Sequence, residues 1–239
     1  MQQFKQDFRD TSLSGKTTTN VQSCIRTNDI DSIGDGTHLG LFQMMGLFSF
    51  RYWTVQQTVD FWYEYLSKLG ITPTHCTIHP DRPEWSKFHK VPVRLDPDCL
   101  WSDGGIGGYC TEFYVGDLEI GNIVNPLGNC IDVGFGLERL DSVVNQTPIE
   151  DGNHHLLRMV KTIIDSGVLP SNTGRGYVLR RLLRKLVQKN LVLGHPLFLE
   201  EQSRQLRNLE RYHRLLPKHQ DKPPQWWKET HGVDLDLFS

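Results

Sequence analysis

Residues 101–139 read W-S-D-G-G-I-G-G-Y-C-T-E-F-Y-V-G-D-L-E-I-G-N-I-V-N-P-L-G-N-C-I-D-V-G-F-G-L-E-R. The stretch opens on a glycine cluster, Gly104, Gly105, Gly107 and Gly108. Two short apolar runs follow, Thr111–Val115 and Leu118–Val124, with acids embedded in them. It closes on a glycine-paced turn into a helix that begins near Phe135 and carries Arg139. Glycine has no β-carbon, so backbone there can come close to a ligand. Acids set in strands beside such a loop suit a cation or an ammonium group. An arginine on the first turn of the following helix suits a phosphate. Together these point to a substrate bearing both an amine and phosphates. The competing reading is a series of ordinary turns between strands, which most glycine-rich segments are.

The order of the parts decides between the two. D-V-G-F-G-L-E-R-L resembles motif 3 of the class II aminoacyl-tRNA synthetases, whose recurring core is G-x-G-x-E-R. The neighbouring residues narrow the likeness to the alanyl-tRNA synthetases. W-S-D-G-G-I-G-G-Y-C-T-E resembles that family's D-x-G-P-C-G-P-C-x-E loop, and L-E-I-G-N-I-V its L-E-I-W-N-L-V strand. C-I-R-T-N-D-I-D, F-Q-M-M-G-L-F-S-F and S-N-T-G-R-G-Y-V-L-R-R-L-L-R-K also follow that family, in its order. No single block is specific; several in order over most of the chain are.

Composition sets the outer limits. A length of 239 residues suffices for one large domain or a domain with an appendage. The net charge of -2 gives no global attraction to nucleic acid, so any such binding needs a local basic patch. No apolar run is long enough to cross a membrane and no signal peptide opens the chain, so a cytoplasmic location is expected. The cysteines, Cys24, Cys76, Cys99, Cys110 and Cys130, are odd in number and never spaced C-x-x-C. Neither a disulfide framework nor a structural zinc site is expected from them. Cys76-x-x-His79 is a metal-like pair with no second pair.

Met1–Thr19 is polar and offers few packing residues. It resembles the tail of the family's motif 1 segment, without the helix and strand that usually precede it. Val21–Thr27 reads as a strand, Asn28–Gly40 as a turn-rich loop, and Leu41–Phe50 as a second strand, which is a hairpin. Thr54–Leu69 has apolar residues at Val55, Val59, Trp62, Leu66 and Leu69, a helical spacing stopped by Gly70. Its aromatics read as core. Ile71–Pro97 reads as one or two edge strands with loops. Helices are expected over Ile149–Gly167, Tyr177–Lys189 and most of Leu191–Pro217, with a linker at Lys218–Pro224. The expected fold is α+β. An antiparallel sheet flanked by helices spans residues 1–148, and a shortened helical region resembling the family's tRNA-recognition part spans 149–239.

The resemblance implies roles residue by residue. The hairpin matches class II motif 2, which places Arg26 at the ATP α-phosphate and Phe42 against adenine. The glutamate that follows that aromatic in the family is Gln43 here. Trp101, Asn122 and Asp132 match residues of the alanine pocket, with Asp132 on the substrate ammonium. Arg139 matches the arginine at the γ-phosphate. Glu119 is the candidate magnesium contact, since hard cations prefer carboxylate oxygen. A strand's period of two puts Glu119 and Asn122 on opposite faces unless a bulge intervenes. Arg180, Arg181 and Arg184 lie on a one-signed helix, with Arg175 just before it, in the segment where the family meets the tRNA acceptor stem. Asn172 matches an asparagine that reads the marker base pair. W-W-K-E-T-H-G-V-D-L-D-L resembles the block closing that region, and the family's editing and C-terminal domains have no counterpart.

The expected function is ATP- and magnesium-dependent activation of alanine, or a close relative, to an aminoacyl-adenylate. Transfer to an acceptor follows. The acceptor is a tRNA or, in a stand-alone homologue, a small-molecule amine or carrier. A non-catalytic regulator binding RNA or a partner is the third reading. The tryptophan between Ile and Asn in the family strand is Gly121 here. Loss of that ring is expected to admit a side chain larger than methyl or a different acceptor.

Overall fold

The computed structural model describes residues 4–27, 30–33, 38–149, 152–231 and 233. Parts of the motif 2-like loop (28, 29 and 34–37), the acid pair at 150–151 and most of the block after His231 lie outside them. The chain divides into two compact units. The first comprises Met1–Cys24 and Leu41–Ile149; the second comprises Ile25–Gly40 and Glu150–Ser239. Among the described residues no helix is long and apolar enough to cross a membrane.

The first unit is built on an eight-stranded sheet. Its strands are β1 (Lys16–Ile25), β2 (Leu41–Phe50), β3 (His75–Ile78), β4 (Val93–Leu95), β5 (Leu100–Asp103), β6 (Ile106–Val115), β7 (Leu118–Val124) and β8 (Cys130–Gly136). Their order is β1-β2-β8-β7-β6-β3-β4, with β5 paired to β6. Pairing is antiparallel along β2-β8-β7-β6-β3 and between β5 and β6, while β3 and β4 run parallel. The helices of this unit are α1 (Lys5–Arg9), α2 (Val55–Lys68) and α3 (Leu137–Asn145). This is the α+β sheet-and-helix architecture that the sequence implies.

The helix α2 starts where its chemistry dictates. The Thr54 hydroxyl accepts from the Gln57 N–H at 3.2 Å, and the Gln57 side chain accepts from the Thr54 N–H at 3.0 Å. That reciprocal cap satisfies two otherwise orphaned donors. Gly70, at φ +74°, ends the helix in the left-handed region. Val59, Trp62 and Leu66 turn onto one face of the sheet and meet Ile123, Val133 and Phe135 in the main core. The Trp62 and Phe135 rings stack at 4.1 Å. Leu69, expected with the apolar stripe, is instead exposed.

Three readings of the sequence need correction here. The segment before residue 19 is not mere polar lead-in: Phe8 of α1 is fully buried against Phe48, Phe50, Ile106 and Cys130. The strand expected at Val21–Thr27 starts at Lys16, because a run of β-branched threonines extends it despite its exposure. In Ile71–Pro97 only β4 lies at the sheet edge. All four residues of β3 are buried between β6 and β4, and its His75 and Thr77 disguise an interior strand.

The second unit holds α4 (Gly152–Asp165), α5 (Gly174–Gln188), α6 (Pro196–Leu215) and α7 (Pro224–His231). The 25–40 loop belongs with them. The Gly40 N–H donates to buried His155 Nε2 at 2.9 Å, and Lys185 Nζ donates to the Ile30 carbonyl at 2.5 Å. Any side chain at Gly40 would collide with Met159 Sδ, 2.7 Å from its β-carbon.

Candidate functional site

In the first unit the two faces of the sheet differ in kind. Ile131, Val133 and Phe135 of β8 face the α2 core. The alternate residues, Asp132, Gly134 and Gly136, face the other way. The register aligns Glu112, Asn122, Gly134 and Gly46 in one row across β6, β7, β8 and β2. The adjacent row runs Cys110, Val124, Asp132 and Phe48. Phe42 lies on the same face as Phe48 by the period of β2.

Glu119 joins this face through a bulge. Phe113 is paired with Gly121 but Tyr114 with Glu119, so Ile120 is an extra residue on β7. Glu112 and Tyr114 share a face, and therefore so do Asn122 and Glu119. The irregular backbone that lets the two residues share a face is therefore present. Ile120 is fully buried in the main core, which holds the bulge in place.

Arg139, on the first turn of α3, meets Glu119 directly. Its Nη1 donates to the Glu119 carbonyl at 2.7 Å and to Oε2 at 3.1 Å. The preceding residue, Glu138, accepts from the Gln43 backbone N–H at 2.9 and 3.0 Å. The helix is thereby tied to the start of β2, beside Phe42. The sequence reading passed over Glu138. Its position before the arginine in G-x-G-x-E-R was the available signal.

Asp132 is the most unusual group of the site. Only 5% of it is exposed. Its Oδ2 has no hydrogen-bond partner among the described residues. Burial between Val124 and Phe48 pushes its carboxyl up to about 7, from an ordinary 3.8. An isolated buried carboxylate is costly, and a bound cation would relieve it. Asn20 of β1 adds a second orphan acceptor on this face. Its Oδ1 is buried without a partner and lies 2.7 Å from where a Gly46 β-carbon would stand. It was missed because one polar residue in a polar strand gives no periodic signal. Trp101 of β5 pairs with Gly108 and packs against Cys99, Cys110 and Val124.

The glycines of the cluster divide by local geometry. Gly104 and Gly105, at φ +60° and +77°, form the two-residue turn between β5 and β6. Lys5 pairs with Asp103, and Arg9 donates to the Gly104 and Gly105 carbonyls at 3.3 and 3.2 Å. Gly108 lies inside β6, where a β-carbon would stand 2.2 Å from the Asn125 carbonyl oxygen. At Gly108 the close approach is to the protein's own backbone. Gly121 opens no space either. A β-carbon there would lie 2.3 Å from the Phe135 ring, which fills the gap. On its own side of the sheet, toward the α2 core, Gly121 therefore leaves no empty space.

The remaining site residues belong to the second unit. Arg26 directly follows β1, and its backbone N–H donates to the Gly40 carbonyl at 2.8 Å, closing the base of the loop. On α5, Arg175 and Arg181 are exposed, whereas Arg180 and Arg184 are half-buried. Arg184 Nε lies 2.9 Å from Glu201 of α6 and Arg180 Nε 3.7 Å from it, with Arg204 at 3.1 Å. Arg180 also donates to the exposed Asn172. The helix is thus one-signed in sequence but partly neutralised by a buried glutamate.

The donor set on the first unit's open face suits magnesium-bound phosphates and an amine. It presents a carboxylate beside a guanidinium, and a second, buried carboxylate whose Oδ2 has no hydrogen-bond partner among the described residues. Comparison with known proteins agrees with this chemistry. Residues 1–98 match the family model of tRNA synthetases class II (A). The chain is 30% identical to an alanine–tRNA ligase of Endomicrobium trichonymphae over 82% of its length and 31% of that protein. It is 31% identical to one from Tropheryma whipplei, over 73% of the chain and 28% of the relative. It is 29% identical to one from Chlamydia muridarum, over 84% and 32%. The chain spans about a third of the length of these curated relatives.

Proposed function

The chain belongs to the class II tRNA synthetases related to alanine–tRNA ligases, and from that premise we propose that it activates alanine with ATP. An oxygen of the alanine carboxylate attacks the α-phosphorus, pyrophosphate leaves, and alanyl-adenylate forms. The attacking group is already ionised, so no general base is required. The work of the protein is to position charges and neutralise them.

The observation that supports this reading best is Asp132. A buried carboxylate with an unpartnered oxygen is matched by an ammonium group, and the Asn20 amide and Asn122 on the same face suit its remaining N–H donors. Trp101 shields the pocket from water. Arg139 is assigned to the γ-phosphate and Glu119 to magnesium. The ion pair they form would open so that each takes a phosphate-side partner. When bound, magnesium supplies further neutralisation of phosphate charge. Phe42 is assigned to the adenine ring and Arg26 to the α-phosphate, on their match to motif 2.

Alanine is then transferred to the 3′ end of a tRNA. Asn172 and the exposed Arg175 and Arg181 suit the acceptor stem, with backbone contact that weakens as salt rises. ATP–pyrophosphate exchange, run with each amino acid and without tRNA, tests the activation step. Alanine-dependent exchange is expected; its absence with well-folded protein leaves an RNA- or partner-binding role. Charging of bulk tRNA tests the transfer step separately. Exchange without charging would direct the search to a small-molecule or carrier acceptor.

A further inference from the structure

Two thiols and a carboxylate converge in the first unit beside the row that contains Asp132. Cys99, just before β5, lies across the hairpin from Cys110 of β6, whose N–H donates to the Cys99 carbonyl at 2.9 Å. Glu112 is two residues beyond Cys110 on the same strand and therefore on the same face. The two Sγ atoms and a Glu112 oxygen all lie within 4.8 Å of one another. Cys99 is fully buried and Cys110 is 3% exposed. Cys110 is followed in its row by Val124 and then Asp132.

We propose that Cys99, Cys110 and Glu112 form a binding site for a zinc-class divalent cation. Two thiolates and one carboxylate are a borderline-soft donor set, the kind that selects zinc over magnesium. Tetrahedral zinc holds sulfur ligands about 2.3 Å away, which puts ligand atoms about 3.8 Å apart. The observed spread is about an ångström wider, within reach of small side-chain rotations. Three protein ligands leave the fourth position for water or another ligand.

The surrounding contacts fit this assignment. Thr77 Oγ1 accepts from the Cys99 thiol at 3.1 Å and donates to Glu112 Oε2 at 3.2 Å. The Tyr114 hydroxyl donates to the same oxygen at 2.7 Å. Such contacts fix ligand orientation, as the outer partners of metal ligands do. A divalent ion compensates the carboxylate and the thiolates formed as it binds. The pairing was invisible to spacing rules because the two cysteines are eleven positions apart and meet only across a hairpin.

The test reads metal and not catalysis, so its outcome is separable from that of the alanine-activating role. The reduced full chain is stripped with chelator and titrated with cobalt(II), then with zinc(II). One equivalent of cobalt is expected to give thiolate-to-metal charge-transfer absorption and tetrahedral d–d bands, both removed by one equivalent of zinc. Cys99→Ser, Cys110→Ser and Glu112→Gln should each weaken zinc binding by tenfold or more, while Cys24→Ser and Cys76→Ser leave it unchanged. Wild-type protein that takes up no stoichiometric cobalt overturns the proposal, whatever the variants do. Stoichiometric binding without a thiolate band, or binding that survives in folded Cys99→Ser/Cys110→Ser, also overturns it and leaves an adventitious ion only.

Discussion

The Phe135 ring occupies the space over Gly121: a β-carbon on Gly121 would lie 2.3 Å from one ring carbon and 2.4 Å from another. The two residues face each other across β7 and β8, and the ring stacks on Trp62 behind them. Gly121→Trp is therefore an overpacking change and not a restored pocket wall. Overpacking usually costs about 1–3 kcal/mol. Here the clash begins at the β-carbon, so a loss of about 3 kcal/mol or more in urea unfolding is expected. Adding Phe135→Ala should recover part of it. A Gly121→Trp protein as stable as the parent would show that Phe135 does not hold this space.

Asp132 ties stability to function with opposite signs. Its folded carboxyl keeps its proton up to about 7, against 3.8 as an ordinary value. Its contribution to stability is complete below the lower value and is lost as pH rises through the upper one. The difference amounts to as much as about 4 kcal/mol. Asp132→Asn should therefore leave melting near-unchanged at pH 4 and raise it at pH 8, by about 2–4 °C for each kcal/mol recovered. The same variant should abolish alanine-dependent exchange. In the parent, kcat/KM for alanine should fall about tenfold per unit as pH drops below 7. Equal melting gains at both pH values would sink this account.

Much of this was legible in residues whose neighbours in sequence are also neighbours in space. Trp62 and Leu66 announce their helix by spacing, and Thr54 caps it with Gln57 three residues on. Glu119 and Asn122 were more instructive. Alternation alone set them on opposite faces, and only the extra residue Ile120 reconciles them. Bulges are decided by tertiary packing, which no local pattern encodes. Phe8 was hidden for a similar reason: one aromatic in a polar segment gives no period, though it is fully buried. The glycines were ambiguous because a missing β-carbon says that something comes close without saying what. At Gly108 it is the Asn125 backbone, and at Gly121 the Phe135 ring.

The Arg139–Glu119 pair should matter little to folding and greatly to exchange. Both side chains are partly exposed, at 22% and 28%, and such pairs contribute about 0–1 kcal/mol. Removing a preorganised charge that meets the developing transition state costs about 3–4 kcal/mol. Arg139→Ala is expected to lower the exchange rate by about 10²–10³ while shifting the urea midpoint only slightly. Glu119→Gln should raise the magnesium concentration needed for half-maximal exchange. The assignments fail if Arg139→Ala retains parental exchange, or if its rate falls only in step with its folded fraction.

The arginines of α5 divide into two groups, and two substitutions separate them. Glu201 is 2% exposed and is shared by Arg180, Arg184 and Arg204. Removing it leaves three half-buried cations facing one another, and loss of one partner from a buried charge cluster typically costs about 3–5 kcal/mol. Glu201→Ala should therefore lower the melting temperature of the second unit sharply. Arg175→Ala/Arg181→Ala changes exposed side chains and should lower melting far less than Glu201→Ala does. If these two contact RNA phosphates, that double variant should weaken acceptor-stem binding and make the salt dependence shallower by nearly two in log–log slope. Binding and salt slope equal to the parent's would remove Arg175 and Arg181 from the RNA surface and leave α5 a structural helix.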